Sequence, residues 1–325
     1  NSCVPDCNGC ECGSDGCGGS CGACPNGETC NSNQLCVECQ TDVDCGAGYC
    51  VNEECVDCFT DADCPAGTIC DGNGECISQG YGVVTWGRAN LGGDSSSVSS
   101  QISSGVTEIF STPNSFAALK NDGSVVTWGL PTGGGDSSAV SSQLTSGVVH
   151  VYSSAFAFAA LKDDGSVITW GSPDYGGDSS SVSSQLTSGV VDISSTNCAF
   201  AALKSDGSVV VWGGAKPSSY PRGCGGDASA YSTELSSDVV SVTGARQAFA
   251  ALKSDGSVIA WGDSYHGGVL GVDNNGYNSQ IAANLSSGVT EVFSNNRAFV
   301  ALKTDGSVVS WGSSSSGAVL PNSGT

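Results

Sequence analysis

The feature that most constrains this chain is a tryptophan–glycine pair that returns at near-fixed intervals. All six tryptophans, Trp86, Trp128, Trp170, Trp212, Trp261 and Trp311, are followed by glycine, at spacings of 42, 42, 42, 49 and 50 residues. A period of that length marks a chain built from copies of one supersecondary unit. Two other blocks keep step with it. Phe116-Ala-Ala-Leu-Lys120 recurs at residues 158–162, 200–204, 249–253 and 299–303, each time followed by x-Asp-Gly-Ser. Upstream lie residues 106–110, 148–152, 190–194, 239–243 and 289–293, where valine or isoleucine alternates with other residues.

Each unit reads as three antiparallel strands. The valine block has the period of two expected of a strand. The Phe-Ala-Ala-Leu-Lys block is a second strand, and the tryptophan block returns as a third. Between them, x-Asp-Gly suits a tight loop with glycine at positive φ. Phe116, Ala118 and Val125 are assigned to one face, and Ala117, Leu119, Val126 and Trp128 to others. A small sheet that is apolar on both faces needs a neighbour on each, and radial stacking of blades supplies it. The alanines let sheets approach closely, and tryptophan fills the wider outer gap. The expectation is an all-β chain whose residues 79–325 form a β-propeller-like array of five full repeats, with residues 82–86 as one extra strand.

The motif Ala-Leu-Lys-x-Asp-Gly-Ser-Val-x-x-Trp-Gly resembles the repeat of the regulator of chromosome condensation family, whose fold is a β-propeller. The resemblance covers residues 80–325. It departs from the family in three respects. Ser115 and Ala157 stand where a histidine is usual. Gly-Gly-Asp replaces the Gly-Gln-Leu-Gly loop. Five full units are present where the family commonly closes with seven. Guanine-nucleotide exchange and chromatin binding are not carried over, because the acidic charge and the cysteine-rich segment argue against both.

Ahead of the repeats lies a chemically different region. It holds 17 of the 19 cysteines, between Cys3 and Cys76. Residues 1–79 carry 14 acidic residues and no lysine or arginine, against 18 acids and 10 bases in the remainder. So small and polar a segment needs staples in place of a core. It is expected to be a disulfide-stapled stalk over residues 1–78 with little regular structure, in modules of about 1–37, 38–56 and 57–78. The last two modules are four-cysteine units: Cys39, Cys45, Cys50 and Cys55, then Cys58, Cys64, Cys70 and Cys76. Pairing cannot be deduced from spacing. The first module has nine cysteines, so one is left over, paired to another chain, or paired to sequence outside this form. The region is loosely similar to epidermal-growth-factor-like stalks.

Composition limits the partners. A net charge of −22 and a pI near 4.1 exclude nucleic acid, because a phosphate backbone needs a basic face. No apolar run reaches the length of a membrane span, so membrane insertion is not expected. Cysteine at this density implies passage through an oxidising compartment, and hence a secreted or cell-surface protein in its mature form.

Several residues stand out as candidates. Cys224 ends an insertion between Trp212 and Asp227, and a bridge to Cys198, just ahead of Phe200 in the same unit, is expected. Asp94, Asp136, Asp178 and Asp227 recur in the serine-rich Gly-Gly-Asp linkers. Calcium is the one cofactor they could hold, and the competing reading makes them caps of short helical turns with Leu144, Leu186 and Leu235 tucked beneath. Asn284-Leu-Ser286 is the N-glycosylation sequon. His150 and His266 lie in no catalytic motif, and no nucleophile elbow, zincin helix or phosphate loop is present. The expected protein is non-catalytic and needs no cofactor. Two function classes follow. One is a structural subunit of an extracellular coat, appendage or fibre that assembles head to tail with other copies or with other extracellular structural proteins. The other is an adhesion or recognition module that binds a glycan or protein on a propeller rim, with Tyr175, Tyr220, Tyr231, Tyr265 and Tyr277 as candidate contacts.

Overall fold

The computed structural model describes residues 80–214, 223–270 and 279–313, with Ser315, Cys64 and short strands elsewhere. The chain divides into two compact units, Asn1–Tyr81 and Gly82–Thr325. In the first, three short antiparallel strand pairs are described, one in each cysteine module. Thr29–Cys30 pairs with Cys36–Val37, Tyr49–Val51 with Glu54–Val56, and Thr68–Cys70 with Cys76–Ser78. Cysteines lie directly opposite one another in each pair: Cys30 and Cys36, Cys50 and Cys55, Cys70 and Cys76. Cys39, Cys45 and Cys58 lie outside the described residues, and Cys64 is disulfide-bonded.

The second unit is built of the expected repeats. Repeat 1 is the antiparallel sheet Val106–Ser111, Ser115–Lys120 and Val125–Gly129. Repeat 2 is Val148–Ser153, Ala157–Lys162 and Val167–Gly171. Repeat 3 is Val190–Ser195, Ala199–Lys204 and Val209–Gly213. Repeat 4 is Val239–Gly244, Ala248–Lys253 and Val258–Gly262. Repeat 5 is Val289–Ser294, Ala298–Lys303 and Val308–Gly312. Its sheet gains a small hairpin, Val272–Asp273 and Gly276–Tyr277, through a parallel bridge from Asp273 to Gly312. The first strands of successive repeats touch one another, so they are the inner strands and the tryptophan strands the outer ones.

Local chemistry explains the strand ends. In repeat 1 the Gly123 N–H donates to the Lys120 carbonyl at 2.9 Å, and Gly123 has φ +71°. That is a three-residue hairpin closed by a left-handed glycine. Asp122 Oδ1 accepts from the Ser124 N–H at 2.9 Å and from its hydroxyl at 2.6 Å. All five inner strands carry a bulge at the same place, as between Val106 and Glu108. The extra residue increases the local twist of each blade.

One face assignment is corrected. Phe116 lies opposite Trp128, Ala118 opposite Val126, and Leu119 opposite Val125. Residues directly opposed across an antiparallel pair share a face. Val126 and Trp128 therefore belong with Phe116 and Ala118, on the side toward the preceding segment. Val125 joins Ala117 and Leu119 on the side toward repeat 2, where they meet Val151, Phe158, Ala160 and Trp170.

The same contact couples each repeat to the segment before it. The phenylalanine and tryptophan of a repeat stack with ring centroids 5.2–5.4 Å apart. The tryptophan Nε1–H then donates to the first glycine of the preceding linker: Trp128 to Gly92, Trp170 to Gly134, Trp212 to Gly176, Trp261 to Gly225 and Trp311 to Gly267, at 2.9–3.0 Å. Gly134 has φ +97°, and a Cβ there would lie 2.6 Å from the Phe158 ring. This is why the linker begins with glycine: only glycine fits both the left-handed backbone and the ring against it. After the linker a short helical segment, 3-10 in the first four cases and α-helical (Ser279–Asn284) in the last, brings a leucine or isoleucine under the blade. Ile102, Leu144, Leu186, Leu235 and Leu285 are all buried.

A candidate open edge and a hub of loops

Residues 83–87 hold the outer-strand position of a sheet that has no other strands among the described residues. The Val83 N–H donates to the Ile102 carbonyl at 2.8 Å, just as Val125 does to Leu144, Val167 to Leu186 and Val258 to Leu285. Thr85 Oγ1 meets Ser95 Oγ at 2.8 Å, as Thr127 meets Ser137 and Thr169 meets Ser179. The segment forms no strand ladder, because no described strand lies at the middle-strand position beside it. The expected extra strand is thus, among the described residues, a strand position without a partner. Trp86 is 84% exposed, whereas the other five tryptophans are 0–4% exposed. Val84 and Ile109 are also exposed, and Phe116 is half-buried where Phe158, Phe200, Phe249 and Phe299 are fully buried. Val83, Val84, Trp86, Ile109, Phe116 and Trp128 line a groove of about 350 Å³. At the other end of the array, Phe293 and Val308 of repeat 5 are exposed.

The loops between inner and middle strands meet at a hub. Pro113, residues 153–156, 195–197, 244–246 and 294–296, one loop from each repeat, line a single cavity of about 610 Å³. Backbone bonds pass from loop to loop: Ala155 N–H to Asn197 O, Asn197 N–H to Arg246 O, and Arg246 N–H to Asn296 O, at 2.8, 2.9 and 3.2 Å. Pro113 has no N–H to extend this chain. Hydroxyls brace three of the loops, Thr112 to Gly133 O, Ser154 to Tyr175 O and Thr196 to Cys224 O, at 2.7–3.2 Å. Repeat 4 has Ala245 at this position and no such brace.

A polar cluster sits beside that gap. The backbone of Asp263 donates to Gln247 O at 2.9 Å, one residue after Arg246. Its carboxylate accepts from the Tyr265 N–H at 2.7 Å and lies 3.4 Å from His266 Nδ1. Asp263 and His266 are both buried, and Nδ1 has no hydrogen-bond partner. Burial lowers the imidazole pKa. Asp263 opposes that shift, and the positive charges of Arg297 and Arg246 add to it. Arg297 lies over the Tyr265 ring, 5.6 Å from its centroid. Hydrogen bonds from Ser313 and Ser315, with the nearby Arg297, lower the Tyr265 pKa. The sequence motifs missed this cluster, since its members come from two repeats of unequal length. The Asp-x-x-His spacing at residues 263–266 was the one signal available.

The candidates named from sequence are dispersed. Cys198 and Cys224 are buried and joined in a disulfide with Cα atoms 5.7 Å apart. Asp94, Asp136, Asp178 and Asp227 are separate turn residues. Each accepts from the backbone N–H two residues on, at 2.9–3.0 Å. Those bonds lower the pKa of the first three. Among the described residues no three or more His, Cys, Asp or Glu side chains converge to hold a metal ion, these aspartates included. Asn284 ends the helix Ser279–Asn284, and its side chain accepts from Gln280 at 3.0 Å. Of the tyrosines, Tyr175 packs on Phe156, Tyr265 belongs to the hub cluster, and Tyr231 packs against the repeat 4 core. Tyr220 and the side chain of Tyr277 lie outside the described residues. His150 lies 3.7 Å from Glu108 and edge-on to Phe110 and Tyr152. No helix among the described residues is long and apolar enough to cross a membrane.

No family model and no curated protein matches the chain. Solved structures do. Human WBSCR16 is 17% identical with a TM-score of 0.40, over 64% of this chain and 61% of that one. The CRINKLY WD40 ectodomain of the Arabidopsis thaliana receptor kinase ACR4 is 15% identical with a TM-score of 0.37, over 64% of this chain and 63% of that one. Prp20p from Saccharomyces cerevisiae is 14% identical with a TM-score of 0.40, over 63% of this chain and 56% of that one. The chain therefore spans less than two thirds of the length of each. Its second unit is an all-β, β-propeller-like array of five three-stranded antiparallel repeats.

Proposed function

We propose that this is a non-catalytic extracellular structural protein, whose repeat array assembles head to tail by accepting strands from another molecule at its open edge. The observation that carries the reading is Trp86, held at an outer-strand position yet 84% exposed. In every complete repeat the tryptophan is paired with a phenylalanine on the middle strand, as Trp128 is with Phe116. An unpaired strand beside an apolar groove is a template for strand addition. A contact between unlike surfaces that does not close on itself gives a filament. The acidic composition and the Cys198–Cys224 disulfide support an extracellular setting. Other copies of the chain, or other extracellular structural proteins bearing a similar strand, are the partners this edge fits.

The test is sedimentation velocity across a concentration series, with negative-stain microscopy, on the wild type and on Trp86→Ser. The wild type is expected to form larger species as concentration rises. Burying an aromatic side chain contributes about 1.5–3 kcal/mol, so Trp86→Ser should weaken association by about tenfold or more. A wild type that stays monomeric at every concentration, or a variant that assembles equally well, refutes the proposal.

The hub supports a second reading, recognition of an extracellular glycan or protein. Its observation is the cavity of about 610 Å³ to which all five repeats contribute loops. Binding to immobilised glycans by dispersed, unassembled particles would favour it over assembly.

A further inference from the structure

The chain has ten basic residues against 32 acidic ones, so a place where its arginines gather is worth attention. Of the described arginines, Arg246 and Arg297 both lie near enough to His266 for their charges to act on it, Arg246 at the hub cavity and Arg297 over the Tyr265 ring. Arg246 lines the cavity, and its backbone N–H bonds to Asn296, the residue next to Arg297. Both are half-buried, and neither has a carboxylate within ion-pair distance among the described residues. The five lysines of the Phe-x-Ala-Leu-Lys strands are placed differently, at the far ends of those strands. Four of them bond to backbone carbonyls: Lys162, Lys204, Lys253 and Lys303.

The surroundings of the two arginines are those of an incomplete site. His266 is more than nine-tenths buried, and its Nδ1 has no hydrogen-bond partner. The Asp263 carboxylate lies 3.4 Å from it, and a buried polar atom left without a hydrogen bond beside the hub calls for an explanation. At the same position the loop brace is absent, because Ala245 replaces the hydroxyl residue of repeats 1 to 3. Tyr265 fixes Arg297 from one side. The carboxylate of Asp263 is already engaged by the Tyr265 N–H at 2.7 Å and is buried.

We propose that the hub face of repeats 4 and 5 is an oxyanion-binding site, in which Arg246 and Arg297 clamp a carboxylate or sulfate group. Guanidinium groups suit both oxyanions because their N–H groups form a planar fork that meets two oxygens at once. Repeats 1 to 3 present Pro113, Ala155 and Asn197 at the loop position of Arg246, so the site is confined to one arc of the hub. It stands apart from the open edge and does not depend on how that edge is filled.

The experiment is isothermal titration calorimetry of the full chain with sodium sulfate and with sodium glucuronate, against sodium chloride at matched ionic strength. The same titrations are run on Arg246→Gln, Arg297→Gln and, as a control outside the cluster, Arg88→Gln. Saturable binding of at least one oxyanion is expected, weakened about tenfold by either hub substitution and unchanged by Arg88→Gln. Sulfate alone binding identifies a sulfate site, and glucuronate alone a carboxylate site. The absence of saturable wild-type binding to either salt overturns the proposal, as does equal binding by Arg88→Gln and both hub variants. The wild-type titration decides even if a hub variant fails to fold.

Discussion

Gly176→Ala, set against Gly189→Ala 13 residues further on, isolates the contact that couples one repeat to the next. Both glycines have left-handed backbones, φ +91° and +76°. Alanine at either position bears a shared backbone cost of about 1–2 kcal/mol. Their surroundings differ. A Cβ at Gly189 meets nothing closer than the end of Lys204, at 3.4 Å. A Cβ at Gly176 would lie 2.6 Å from Phe200 Cδ2 and 2.9 Å from Cε2. Phe200 cannot retreat. It is fully buried and stacked on Trp212, whose Nε1–H bonds back to the Gly176 carbonyl at 3.0 Å. Gly176→Ala should therefore lose about 1–3 kcal/mol beyond Gly189→Ala through overpacking. That corresponds to a further fall in Tm of about 2–12 °C at roughly 2–4 °C per kcal/mol. Urea unfolding followed by tryptophan fluorescence measures the difference. Trimming the ring in a Gly176→Ala/Phe200→Leu double variant should give a loss smaller than the sum of the two singles. Equal losses for the two alanine variants would refute the claim that ring contact, and not backbone freedom alone, demands the linker glycine.

Two further outcomes follow from the same structure. Cys198 and Cys224 close a loop of 26 residues, so replacing both with serine should cost about 3–4 kcal/mol, read as a lower urea midpoint. The hairpin aspartates Asp164, Asp206, Asp255 and Asp305 are held below the ordinary value of 3.8, chiefly by hydrogen bonds from the serine hydroxyl two residues on and then from its backbone N–H. A depressed folded-state pKa contributes stability above the unfolded value that is lost as pH falls through the folded one. Converting all four to asparagine should flatten the acid side of the stability profile below about pH 4, measured as urea midpoints across a pH series, while an unchanged slope would refute the assignment.

The sequence made the repeats legible because their chemistry is redundant. Phenylalanine, tryptophan, the hairpin glycine and the linker glycine each recur at the same place, so a local misreading cannot move the frame. The face of Val125 and Val126 was less legible. Two adjacent valines satisfy either register, and only the pairing of Phe116 with Trp128 decides between them. The linker glycine was visible as a departure from the family pattern, but its reason was not, since the ring it meets lies in the next repeat. The hub cluster was hidden for a similar cause. Arg246, Asp263, His266 and Arg297 converge through loops of two repeats, and unequal repeat lengths keep them from sharing a period.

In an array of this kind each repeat is stabilised chiefly by its neighbours, and terminal units need a polar outer surface to remain soluble. The segment 82–102 goes part of the way to being such a cap. It presents Gly92 to Trp128, places Ile102 under the blade, and buries its own backbone against that residue. A cap that ended there would carry polar residues at positions 84 and 86. This one carries Val84 and Trp86, the same residue types that the complete repeats bury in their outer strands, and it leaves Phe116 half-covered. Exposing a tryptophan and a valine forgoes a few kcal/mol of burial and invites association. Serine and threonine, abundant in the adjoining linkers, would have made a soluble cap without that liability. The residues at this edge are therefore suited to a sheet that is completed by another strand, and poorly suited to one that faces water.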